Sequence, residues 1–523
     1  MKARTIKNAI EAHGWVGVIV SVALFTVFWA GAVTLFYPEV SSWAKLPLRS
    51  FDPAPADAPS LREVIEERRA SVNIDPKASM FVRMPGEHSP FFEVNLPLDG
   101  PNANGEQRER HFVSSKTGRV VATDDPYQFP DFLYQLHYDL KLPQGLYIVG
   151  LITLFFAVLV MTGVVIQLKQ MFEHFFLYRH EKGRRMRAHD LHSVAGVVTL
   201  PFAALYALTG LMFNLRVLFL APVVILAYGG DQKALFADAG IVNRTVEPAG
   251  LERQMPELEP ILARVEKKYN AHVTGFSAMA YGDENAILRI VAEPDAHTDN
   301  VDVFYEVKSD SFPEEMNIEV DNVLASTVFS LFELHMGRFG GVGIRFLFFA
   351  LALAVCGMII AGNILWLIKR ESRRDDYPRS FAVVRGLTLG GCTGVVVATC
   401  GALVLERLLP GDWASRVSLV NGGFFGLLAA ITAVGFFIKS VPKFLARCAW
   451  TSTGLLAALV SIDVFFYGPQ LTSLWAAGEI SPGAVTIGFA MAGSAFAWIA
   501  RTIDRVPAKT GEEDGRLPEP NPA

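Results

Sequence analysis

Long apolar runs alternate with polar stretches along this chain. Mostly apolar segments recur near 14–37, 145–168, 193–214, 341–368, 381–405, 417–438, 445–467 and 482–501. Each is long enough to cross a bilayer as a helix, which predicts about eight spans. Residues 215–228 are also apolar, but they are few and Pro222 interrupts them. They read as an interfacial or re-entrant extension, not a ninth span. The first run, Gly14 to Tyr37, is too long for the apolar core of a signal peptide, and no small-x-small site closes it; it is expected to remain as span one.

The two longest polar stretches have a pattern of their own. In the first, "PSLREVIEERRASV" has helical spacing behind a candidate Ser cap, and "MFVRM", "FFEVNLPL" and "RHFVSSKTGRVVAT" read as strands, with a turn at Gly118. The second repeats the order: "LEPILARVEKKYN" as helix, then "HVTGFSAMA", "NAILRIVAE" and "NVDVFYEVK" as strands. The expected fold is mainly α: a polytopic helical membrane protein of about eight spans, plus two small α+β modules. The chain divides into a first span (1–37), module one (38–140), spans two and three with a basic loop (141–228), module two (229–335), span four with its loop (336–380), a four-span C-terminal unit (381–505) and a polar tail (506–523) predicted to be disordered.

Charge orients these pieces. Of the 523 residues 51% are hydrophobic and only 19% charged, too apolar for a soluble protein of this size. Lys and Arg collect before span one (Lys2, Arg4, Lys7), between spans two and three (Lys169, Arg179, Lys182, Arg184, Arg185, Arg187) and after span four (Lys369, Arg370, Arg373, Arg374, Arg379). Later basic clusters are Lys439, Lys443 and Arg447, then Arg501, Arg505 and Lys509. Every second loop is basic, which predicts both termini in the cytoplasm and both modules outside. No basic block suits nucleic acid. The four cysteines lie in or beside apolar runs without a C-x-x-C motif.

Eleven histidines punctuate the pattern, and four stand at the ends of the first four spans. His13 and His192 open spans one and three at the cytoplasmic end; His137 and His335 precede spans two and four at the outer end. A lone interfacial histidine is more often a hydrogen-bonded side chain than a ligand, but four in register favour ligation. No thiolate or acidic cluster accompanies either couple, which disfavours zinc. Haem iron needs only one or two axial ligands and an apolar slot. Glycines one turn on, Gly17 and Gly196, would admit a bulky ring, as would Gly337, Gly340 and Gly341 beside His335. Of His189 and His192, the second abuts the apolar run and is the better ligand; an H-x-x-H zinc site is the weaker alternative. His174 and His180 in the basic loop, and His88, His111, His272 and His297 in the modules, receive no role. Arg338 and Lys141 are near enough in sequence to the outer couple to neutralise propionates.

"HGWVG", "LHYDLKLPQGLYIVG…LVMTGVV", "DLHSVAGVV…YALTGLMF" and "LHMGRFGGVG…CGMIIAGNI" resemble, in order, the PepSY-associated transmembrane family, over roughly residues 8–370. "SKTGRVVATDD" resembles the strand-turn segment of a PepSY module, which makes the two outer modules PepSY-like. The resemblance implies a protein of the bacterial inner membrane that contains haem b and reduces ferric siderophores or other ferric chelates in the periplasm. The iron leaves as Fe(II), which binds hard oxygen ligands weakly. His13 with His192, and His137 with His335, would each clasp one haem; one haem or two is left open. Residues 381–501 extend beyond the smaller relatives without a single histidine and receive no mechanism; a packing surface, a partner surface or a quinone site are the options. Asp463 and Glu406 are their few acidic residues near spans, and Glu406 is expected to mark only a terminus.

The weak point of such an electron path is distance, since about 24 residues of helix rise about 36 Å. Phe25, Phe155, Phe156 and Tyr206 are candidates to line the way. "GLTLGGCTG" lies in a span without a strand-to-helix context and is rejected as a nucleotide loop. A cytoplasmic flavoprotein or membrane quinol is therefore implied as donor. The alternative function is a haem-free membrane transporter or assembly factor in metal uptake; regulation of periplasmic peptidases rests only on the PepSY-like modules.

Overall fold

The computed structural model describes residues 3–49, 59–86, 88–101, 107–167, 179, 183–238, 246–294, 301–313, 323–371, 374 and 376–505. His174, His180, His297, Lys169, Lys182, Arg373 and the tail from residue 506 lie outside the described residues. Helix α1 (Ala3–Thr34) is followed by a short helix α2 (Tyr37–Ala44). Then come α3 (Leu61–Ala70), β1 (Met80–Arg83), β2 (Phe91–Pro97), β3 (Arg108–Ser114) and β4 (Val120–Thr123). Helices α4 (Phe129–Asp139), α5 (Gly145–Gln167), α6 (Arg184–Val198), α7 (Leu200–Asn214), α8 (Arg216–Ala227) and α9 (Gln232–Asp238) lead to the second polar stretch. That stretch contains α10 (Leu258–Tyr269), β5 (Ala271–Met279), β6 (Ile287–Pro294) and β7 (Val301–Glu306). Helices α11 (Val323–Met336), α12 (Gly341–Lys369), α13 (Pro378–Arg385), α14 (Gly391–Leu408), α15 (Arg416–Phe436), α16 (Val441–Ala476) and α17 (Ser481–Asp504) complete the chain.

Among the described residues seven helices are long and apolar enough to cross a membrane, and the bent pair α6–α7 makes up to eight if it is counted as one span. The expected straight span at 193–214 is thus a broken one. It turns by 66° at Thr199, where Pro201 in the first turn of α7 has no N–H to continue the ladder. Helix α8 is 12 residues long and too short to span; Leu218, Ile225 and Leu226 are exposed on it, as expected of an interfacial segment. The strands of both polar stretches join one sheet, so both stretches lie on one side of the membrane, called the sheet side below.

The expectation of two separate modules is corrected. All seven strands join one antiparallel sheet in the order β4-β3-β2-β1-β5-β6-β7. The seam is β1 against β5, with Val82 opposite Phe276 and Arg83 opposite Gly275. A Cβ at Gly275 would come within 2.7 Å of the Val82 carbonyl, so the seam requires glycine there. The repeats share one core: Val82, Val94 and Val113 meet Phe276, Ile290 and Val303 under α3 and α10. Helix α3 begins, as its sequence predicts, with a Ser60–Glu63 capping box. Pairing β1 with β5 closes one edge of each polar stretch and leaves β4 and β7 as the edges of the joint sheet.

The C-terminal unit packs on α1 through α14, which is almost wholly buried. Its glycines do mechanical work. A Cβ at Gly390 or Gly394 would lie 3.0 Å from α15, and one at Gly391 would lie 2.9 Å from Val22 of α1. The rejected nucleotide loop is therefore a small-residue helix interface.

On the sheet side this unit is fastened by buried charge. Asp463 accepts from Trp43 Nε1 at 2.6 Å and from Thr486 Oγ1 at 2.8 Å. It also faces Arg407 Nε at 2.7 Å, an ion pair whose angle falls short of a hydrogen bond. Glu406 pairs with Arg416 at 2.9 Å and accepts from the Phe129 N–H at 3.2 Å. It is thus a structural anion and not merely a terminus. The sheet is tied down by Lys45, 3.0 Å from Asp125 and 3.9 Å from Glu93. Burial pulls the Lys45 pKa down, but the two carboxylates outweigh it and hold it above the usual lysine value.

Candidate histidine couples

The four span-end histidines meet in the expected pairs. The rings of His13 (α1) and His192 (α6) have centres 6.1 Å apart, on the side away from the sheet. Those of His137 (α4) and His335 (α11) are also 6.1 Å apart, on the sheet side. His189 stays outside both couples: its side chain is 41% exposed and lies 3.4 Å from Asp190, which Arg179 grips. His88 contacts Ser481, His111 is buried beside Glu109, and His272 is exposed beside Glu266.

Each imidazole is tied at Nδ1 by a neighbouring helix. His137 Nδ1 lies 2.9 Å from the Val27 carbonyl, and His192 Nδ1 lies 2.9 Å from the Met358 carbonyl. A carbonyl only accepts, so both rings carry the proton on Nδ1. His13 Nδ1 lies 2.9 Å from Thr162 Oγ1, and His335 Nδ1 lies 2.7 Å from Thr209 Oγ1. Both hydroxyls already donate one turn back, to Val158 and Leu205, so they accept from the rings. Network logic thus assigns all four histidines the Nδ1–H tautomer. Among the described residues no hydrogen bond reaches any of their Nε2 atoms. An imidazole oriented by an Nδ1–H bond with its Nε2 lone pair free is the usual state of a metal-binding histidine.

The glycines that make room come from facing helices, not from i+4. A Cβ at Gly31 would lie 2.7 Å from His137 Nδ1 and one at Gly362 would lie 3.1 Å from His192, whereas one at Gly163 would only touch His13 at an ordinary 3.6 Å. Gly17 and Gly196 instead face Leu159 and Met358. The missed partners had a signal: the dipeptide Thr-Gly stands in span two (Thr162–Gly163) and again in span three (Thr209–Gly210). The candidate propionate partners are otherwise engaged, Lys141 with Gln135 and Arg338 with Glu333.

His137 rests on α1 at Val27 and Gly31, 14 and 18 residues beyond His13. The couples are therefore about 21–27 Å apart along α1, closer than the span length suggested. Of the named aromatics, Phe156 and Tyr206 do lie between them. Phe28 meets Phe156 at 5.2 Å, Phe202 meets Tyr206 at 4.4 Å, and Tyr206 meets His335 at 4.7 Å. Phe25 turns to stack on Trp29, and Phe155 is exposed on the bundle surface.

The donor set tests what could be held. Two imidazoles sharing one metal in line, at about 2 Å each, put their ring centres about 6 Å apart. Among the described residues no three His, Cys, Asp or Glu side chains gather as a metal site. Two ligands without a third suit the axial positions of a haem and not tetrahedral zinc.

The fold and these couples define a polytopic helical membrane protein with a membrane-attached sheet and two imidazole pairs. The family model for the PepSY-associated TM region matches residues 10–369, and the chain belongs to that family. It is also similar to an uncharacterized protein of Pseudomonas aeruginosa. That relative is 25% identical over 338 residues, covering 58% of this chain and 79% of the relative.

Proposed function

We propose that this protein is a haem-containing ferric-chelate reductase of the bacterial inner membrane. It takes electrons from a flavoprotein or quinol on the cytoplasmic side and delivers them to a ferric siderophore on the sheet side, taken as periplasmic. The observation that carries this reading is the twofold recurrence of one arrangement: two imidazoles, centres 6.1 Å apart, each fixed at Nδ1 and open at Nε2. Haem b bound by each couple would supply one-electron redox chemistry at its iron.

The chain's own residues do the rest. Thr162 and the Met358 carbonyl hold the inner imidazoles in the ligating tautomer, and Thr209 and the Val27 carbonyl hold the outer ones. Each Nδ1–H bond also raises the basicity of the opposite nitrogen. Phe28, Phe156, Phe202 and Tyr206 pack together in the space between the layers and make it largely apolar. The orientation follows the basic loops, which lie opposite the sheet.

The purified protein is expected to show a dithionite-reducible Soret band. His13→Ala and His192→Ala should remove the same component of it, and His137→Ala and His335→Ala the other. A colourless protein, or inner and outer variants that deplete the same component, would overturn the assignment.

A further inference from the structure

Beside the inner couple stands an aromatic pair that the histidines do not explain. Trp15 follows His13 by two residues on α1, and Trp366 lies one turn beyond Gly362, the glycine against His192. Their rings meet edge to face, centres 5.5 Å apart. The Arg370 guanidinium covers both, 3.9 Å from the centre of Trp366 and 4.9 Å from that of Trp15. Trp15 is half exposed, whereas Trp366 is 9% exposed. The Cδ1 edge of Trp366, next to its N–H, faces Gly14: a Cβ there would lie 3.7 Å away. Among the described residues the buried Nε1–H of Trp366 has no acceptor. An indole donor stripped of water and left unpaired costs about 1–3 kcal/mol, a penalty that phenylalanine would avoid.

We propose that Trp366 Nε1–H and the Arg370 guanidinium form a carboxylate-binding subsite beside the His13–His192 couple. Its ligand is an acidic side arm of the porphyrin held by that couple. The proposal rests on the haem reading above and extends it to how the inner group is oriented. A carboxylate at this depth meets one buried donor and one cation backed by two indole faces, so its bonds are charge-assisted and shielded from water. The same positive groups offset the carboxylate charge and favour the reduced state of the neighbouring iron. Trp366 and Arg370 therefore act as positioning residues that raise the inner potential.

Trp366→Phe keeps an aromatic ring and removes the donor together with the five-membered half of the indole. The inner couple should retain its spectrum, its midpoint potential should fall, and haem transfer to apomyoglobin should quicken about tenfold. Arg370→Gln should lower the potential in the same direction. Wild-type protein reconstituted with haem dimethyl ester should reproduce the faster release of Trp366→Phe while its potential rises, since the carboxylate charge is gone, and esterification should then quicken release from that variant little. Unchanged potentials and release rates in both variants overturn the subsite, as does an ester effect on release equally large with and without the indole N–H. A protein that binds no haem at all overturns the underlying reading instead.

Discussion

The two halves of this bundle treat buried polar groups in opposite ways. In the C-terminal unit each buried charge meets its opposite: Asp463 faces Arg407, Trp43 and Thr486, and Glu406 faces Arg416 and the Phe129 N–H. In the N-terminal half each of the four span-end histidines is satisfied at one nitrogen and left open at the other. A network of buried ion pairs fastens helices together, because removing any member strands a charge in a low dielectric. An imidazole held at one nitrogen and open at the other keeps a lone pair available to a ligand. The ion pairs of the unit without histidines clamp α2 and the 124–129 link against the bundle and so steady α4, which carries His137.

The comparison can be broken most forcibly at Arg407. Arg407→Ala should leave Asp463 unpaired and destabilise the protein by about 3–5 kcal/mol, seen as a lower thermal midpoint in detergent. The double change Arg407→Met with Asp463→Leu should recover most of that loss, and a stable single variant would sink the ion-pair account. On the open side, Gly31→Ala places a methyl 2.7 Å from His137 Nδ1 and should cut haem at the outer couple with little effect on the inner one. Gly422→Ala, whose methyl meets nothing within 4 Å, is its control and should be neutral or stabilising by up to about 1 kcal/mol; absorbance per protein and thermal midpoints measure both.

Smaller effects sharpen the distinction between the couples. Thr162→Val should disturb only the inner couple and Thr209→Val only the outer one, each at about 1 kcal/mol for the lost bond, read in separate redox titrations. Equal shifts at both couples would contradict the tautomer assignment. The smallest effect concerns pH at the sheet anchor. Lys45 has a raised pKa, so its stabilisation is complete below the unfolded lysine value of about 10.4 and is lost as pH climbs through the folded one. Thermal midpoints should carry no Lys45-dependent step between pH 7 and 9, and Lys45→Met should erase a step in strong alkali.

Much of this was legible in the chain because it depends on local pattern. The apolar runs located the crossings, and their ends selected the four histidines, since an imidazole at a membrane boundary is conspicuous against leucine and valine. The strands and both module helices were equally local. Harder to read were contacts whose partners are remote in sequence. Gly17 and Gly196 were reasonable choices by helical spacing, but Gly31 and Gly362 do the work because they face histidines on other helices. The Thr-Gly repeats were visible, yet nothing local says that Thr162 reaches the depth of His13.

The order of apolar and polar residues by itself determined that the chain spans a membrane, where it crosses, and which imidazoles stand at each face, because hydrophobic burial and backbone bonding act along the sequence. Only the tertiary structure decided that two repeats share one sheet, that the histidines lie 6.1 Å apart in couples, and which nitrogen of each remains open. Those outcomes depend on hydrogen bonds and close packing between segments far apart in the chain, and their geometry exists only once the helices have met.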